Sequence, residues 1–80
     1  MNVTVVKNLV ENQSVEQLLA AEQALIQDLP LPITIEGKDE SQQLTHALAA
    51  IWIKERMSGN RLGFKDALHE YIQQVRETIN

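Results

Sequence analysis

An all-α domain, a small helical bundle of three to four helices crossed by one short extended strap, is the fold class that three features of this 80-residue sequence predict. Seven consecutive apolar residues, Ala47-Leu48-Ala49-Ala50-Ile51-Trp52-Ile53, sit inside a helical pattern that Leu44 and Met57 extend. A capped amphipathic segment starts at Ser14, and a second amphipathic stripe closes the chain from Phe64 to Ile79. Together they place residues 1–80 in a single domain, with helices over about 4–12, 15–28, 40–58 and 64–79 and a proline-containing strap at 30–36.

Each element follows from local chemistry. Val3 and Val5 alternate as in a strand, whereas Val5/Val6 and Leu9/Val10 recur as on a helix; the favoured helical reading leaves one apolar stripe in need of a partner. Ser14 is a good N-cap, Gln17 stands at the third helical position of a capping box, and Glu16 lies in the first turn, where the helix dipole favours an anion. Val15, Leu18, Leu19, Glu22, Leu25, Ile26 and Leu29 follow at helical spacing. Pro30 and Pro32 stop that helix, because proline lacks an N–H and drives the residue before it into extended geometry. Ile33-Thr34-Ile35 is β-like but too short to specify a sheet, so it is expected to cross the surface with both isoleucines inward. Asp39 can cap the next helix with Gln42 reaching back to it, and Gly59 suits the left-handed close. The last helix opens near Gly63 and carries Phe64, Ala67, Leu68, Tyr71, Ile72, Val75 and Ile79 on one stripe, with Arg76 suited to its C-terminal dipole.

The central helix poses the main packing problem. Leu44, Ala47, Leu48 and Ile51 cover one face, Ala49, Ile53 and Met57 much of the opposite one, and Trp52 the flank. A helix apolar all round must be buried all round. A chain this short builds no large core, and the apolar run falls far short of the roughly 20 residues that span a bilayer. A second copy is the simplest cover, which predicts a homodimer with His46, Ala49, Ala50, Ile53 and Met57 at its interface and Trp52 beside them. Glu55 continues the Leu44, Leu48, Ile51 stripe and is therefore expected as a buried charge, paired with Arg61, Lys65 or a residue of the second chain.

Seven basic against eleven acidic residues give a net charge of −4, which favours solubility and opposes non-specific attraction to nucleic acid or anionic lipid. The charge is uneven. Residues 1–50 carry two lysines against seven carboxylates, a balance of −5, and residues 51–80 carry five cations against four carboxylates, a balance of +1, so the two halves can attract each other across an interface. With no cysteine there is neither a disulfide framework nor a thiolate zinc site. No basic and apolar leader opens the sequence, which reads as cytoplasmic.

Enzyme-like motifs are thin. Asp66 and His69 stand at i, i+3 on one helical face, the spacing of ligand pairs in di-iron bundles, and Gln43 and His46 repeat it with a poorer ligand. Such a centre needs several more carboxylates from other helices, and of Glu16 and Glu22 only Glu22 lies on the apolar stripe. His46, near Ala49, Ala50 and Ile53, reads as a hydrogen-bonded or interface histidine rather than a base, and His69 as a solvated one. No Gly-x-Ser-x-Gly elbow is present, and Ser14, Ser41 and Ser58 fall at helix ends where capping explains them. Glycines 37, 59 and 63 punctuate turns and form no phosphate loop. Lys54, Arg56, Arg61 and Lys65 cluster near a helix–turn–helix, but Asp66, Glu70 and Glu77 make the outer face of the second helix acidic and disfavour a DNA reader.

The run Glu36-Gly37-Lys38-Asp39-Glu40, followed by Gln43-Leu44-Thr45-His46-Ala47-Leu48-Ala49-Ala50-Ile51-Trp52-Ile53 and by Phe64-Lys65-Asp66-Ala67-Leu68-His69-Glu70-Tyr71, resembles a small bacterial domain-of-unknown-function family of about this length. The resemblance extends over most of the chain and implies a complete stand-alone protein. It brings no catalytic or binding residue with it.

The functional expectation is a non-catalytic, oligomeric helical protein that acts through its surface on a second copy or on an unidentified protein partner, with no cofactor, nucleic acid or membrane involved. The alternative is a small-ligand or metal-binding protein using Glu55, His46 and the Asp66/His69 pair.

Overall fold

The structure, a computed structural model, describes the backbone of residues 1–79 and the side chains of residues 1–76. Four helices, α1 (Val3–Asn12), α2 (Val15–Gln27), α3 (Glu40–Asn60) and α4 (Phe64–Ile79), occupy three-quarters of the chain, and no strand occurs among the described residues. The architecture is the all-α bundle that the sequence predicts. Ile79, the last expected member of the α4 stripe, and Glu77 on its outer face lie outside the described side chains.

Side-chain caps set the helix starts. Asn2 Oδ1 accepts from the backbone N–H groups of Thr4 and Val5, at 3.0 and 3.3 Å, which resolves residues 3–6 as helix and not strand. The Ser14–Gln17 capping box forms in both directions, at 3.1 and 2.8 Å. At α3, Asp39 Oδ1 accepts from the Gln42 N–H at 2.8 Å, but the Gln42 side chain reaches past Asp39 and accepts from the Lys38 N–H at 2.6 Å. α2 closes on Asp28 and α3 on Arg61, both left-handed at φ 58° and 55°. Gly59 was the expected closing residue; α3 instead runs through it to Asn60, and the turn at Arg61 brings Leu62 back against the core.

α3 is the hub on which α1, α2 and α4 each pack. His46, Ala47, Ala49, Ala50, Ile51 and Ile53 are all buried within this single chain. At 100° per residue they sweep more than half of the helix circumference. Val6, Leu9 and Val10 of α1, Leu18 and Ala21 of α2, Ile35 of the strap, and Ala67 and Leu68 of α4 complete the same core. The expectation that a second copy must cover the Ala49/Ile53 face is thereby corrected: α1 is short but strongly one-sided, and the chain covers that face itself. A wet arc also remains, with Leu48 41% exposed and Glu55 in solvent beside it on the wheel.

The strap runs from Leu29 to Lys38 with alternating burial: Leu31 and Ile33 partly buried, Ile35 buried, Pro32, Thr34 and Glu36 exposed. With no neighbouring strand to take its carbonyls, side chains of α3 do so. Gln43 Nε2 donates to Ile35 O at 2.9 Å, and His46 Nδ1 lies 2.7 Å from Glu36 O.

α4 docks along α3 through Trp52 and Tyr71, whose rings pack tilted at 55° with centroids 5.6 Å apart, and through Arg56 Nε, which donates to Glu70 Oε1 at 2.6 Å. The Glu70 carboxylate, by that hydrogen bond and its charge, holds the Arg56 guanidinium above its ordinary range. Burial raises the Tyr71 phenol above its ordinary range as well.

Candidate functional site

The i, i+3 spacing of Gln43 and His46, which in the sequence resembles a metal-ligand pair, is a clamp on two successive carbonyls of the strap. His46 is 1% exposed and its ring is fully used: Nε2 accepts from the Asn2 N–H at 2.9 Å, so Nδ1 carries the proton and donates to Glu36 O. One imidazole thus joins the start of α1, the strap and α3. Neither partner could be anticipated, because Asn2 and Glu36 stand 44 and 10 residues away in the chain.

At the opposite end of α3 lies an open cleft of about 700 Å³ between the end of α1, the start of α2 and the end of α3. Val10, Val15, Met57 and Leu62 supply its apolar walls, and Glu11, Lys54 and Glu55 its charges. Lys54 Nζ donates to Val10 O at 2.9 Å, satisfying a carbonyl that the end of α1 would otherwise leave unpaired. Glu55, expected as a buried charge, is exposed on the rim of this cleft. The correction has a simple cause: its position continues the line of Leu44 and Leu48, and that line leaves the core at Leu48.

The other candidate residues separate. Ala49, Ala50 and Ile53, each 0% exposed, belong to the core of one chain with His46, while Met57 and Trp52 are partly buried and reach the surface only in part. Asp66 and His69 are exposed on α4, distant in role from the buried His46. Among the described residues no group of three His, Cys, Asp or Glu side chains stands close enough to hold a metal ion. Apolar surface gathers elsewhere. Leu19 and Ile26 are 42% and 61% exposed, seven residues apart and so on one face of α2, and Leu29 just beyond that helix is also exposed. All three stand among the helically spaced apolar residues after Ser14, and that spacing alone does not say which of them is buried.

No helix among the described residues is long and apolar enough to cross a membrane. Across its whole length, residues 1–80, the chain matches the model of a family of unknown function, DUF6952. No curated protein and no solved structure gives a significant match.

Proposed function

Since the chain belongs to the DUF6952 family, whose members have no assigned function, we propose from its surface that it is a non-catalytic accessory protein that works by association, first with a second copy of itself and through that assembly with a protein partner. The observation that carries this reading is the exposed apolar face of α2, Leu19 and Ile26, continued by Leu29, on a domain whose core is already complete without it. Association through this face replaces the earlier expectation of contact through Ala49, Ala50 and Ile53. The uneven charge, acidic up to residue 50 and slightly basic beyond, supports attraction between copies. The cytoplasm is the setting of the same reading, for which a cysteine-free chain is suited.

Light scattering at micromolar concentration tests it. The expected mass is twice 9.1 kDa, falling to 9.1 kDa in an Ile26→Asp variant that keeps its helical circular dichroism. A wild type that stays at the single-chain mass at every concentration overturns self-association.

A second reading, a small-ligand binder, is favoured by the cleft at Lys54 and Glu55, where apolar walls and a few charged groups converge. Mass spectrometry of the native protein distinguishes the two: a retained small molecule lost on Met57→Asp supports the ligand reading.

A further inference from the structure

His46 accepts one hydrogen bond and donates another, and the two tie it to different segments. The acceptor is Nε2, bonded to the Asn2 N–H at 2.9 Å; the donor is Nδ1, 2.7 Å from Glu36 O. Only the neutral ring can do both. Adding a proton at Nε2 leaves the Nδ1–H bond to Glu36 intact but sets an N–H against the Asn2 N–H, in a place where the ring is 1% exposed and no water can take the new proton's bond without entering. The effect is therefore one-sided: the strap stays and the start of α1 is pushed off. Asn2 is also the residue whose side chain caps α1, through Thr4 and Val5, so displacing its backbone loosens the cap with it. Val6, 0% exposed, is the first core residue beyond.

We propose that His46 is a pH-sensitive latch: its neutral form holds the first turn of α1 on α3, and its protonation in mild acid releases that turn and uncovers the α3 face beneath Val6. The charged groups on the segments around the ring are the Met1 amine and Lys7 on the α1 side, Glu36 and Lys38 on the strap, and Asp39 and Glu40 at the start of α3. Beyond these, Asp28 closes α2, and Arg76 of α4 shares a small cleft with Met1 and Thr45. All of them are exposed, of both signs, and none bonds the ring, whose partners are neutral backbone groups. Geometry at Nε2 decides the response. Histidine is the side chain whose ordinary charge change falls in the mildly acidic range.

The test is amide hydrogen exchange read by NMR on the full wild-type chain, at about pH 7.5 and about pH 5, with rates corrected for intrinsic exchange chemistry. The expected result is opening at Val6 that becomes about tenfold more frequent in acid, the order of one lost hydrogen bond in a buried place, while Ala50 and Ile53 keep their protection. Ring nitrogen shifts of His46 should show the Nδ1–H form at the higher pH. A His69→Gln variant, altered only at the exposed histidine, should respond as the wild type does. Unchanged opening at Val6, acid-induced opening at Ala50 and Ile53 to the same extent, or an Nε2–H ring at the higher pH would each overturn the latch.

Discussion

Lys54, in the C-terminal half of the longest helix, donates its ammonium to the carbonyl of Val10 at 2.9 Å, and with the His46–Asn2 bond it pins both ends of α1 to α3. α1 has no basic residue in its own last turn, so the cation that its C-terminal carbonyls favour comes from another helix.

Replacing Lys54 with Met keeps the apolar stem and removes that donor. The variant should lose about 1–2 kcal/mol in urea unfolding, as expected for one charged hydrogen bond in a half-buried place. Exchange of the Val10 and Leu9 amides should rise before that of α4. No change in midpoint would show that the bond contributes nothing to stability.

Ile53→Asp and Ile26→Asp should part company. Ile53 is 0% exposed, so a carboxylate there has neither water nor a partner, and the variant should be unfolded at every concentration by circular dichroism. Ile26 is exposed, so its variant should keep its melting temperature within a few degrees and change only its mass in solution. Folded Ile53→Asp protein would mean that the core is not as closed as its burial states.

Gly37→Ala should destabilise by about 1–3 kcal/mol, through crowding rather than backbone dihedrals. A Cβ at Gly37 would stand 2.8 Å from the Gln43 backbone nitrogen and 2.9 Å from its Cγ, and the backbone of α3 cannot retreat as a side-chain tip can. The denaturation midpoint should fall with the slope unchanged.

Tyr71 is the single tyrosine, so phenolate absorbance reports it alone. Burial raises its ionisation above the ordinary value of about 10, which the unfolded chain retains. The unfolded state therefore ionises first, and the phenol's contribution to stability is fully present below about pH 10 and fades as pH rises through the folded value. Titration of folded protein should show a later transition than titration in denaturant, and coincident curves would refute it.

What the sequence determined by itself was local. Ser14 with Gln17, Asp39 with Gln42 N–H, the two prolines and the α4 stripe from Phe64 to Ile72 each act locally and appear where they were expected, whereas Val75, expected on the same stripe, is 37% exposed. Periodicity read the central run of α3 as apolar all round, and the structure bears that out over the faces of Ala47, Ala49, Ala50, Ile51 and Ile53 but leaves a wet arc at Leu48 and Glu55. Periodicity could not say which segment lies on each side of that helix, because a helical wheel records where apolar groups point and not what meets them. Tertiary structure decided that Ala49, Ala50 and Ile53 are covered within one chain, that the Leu48–Glu55 line stays in water, and that Leu19 and Ile26 are left outside. It also gave the Gln43/His46 spacing its meaning. Those side chains reach for carbonyls of the strap and for the N–H of Asn2, groups that every residue other than proline carries, so no residue type in the sequence could announce them; only the approach of distant backbone to a buried ring does.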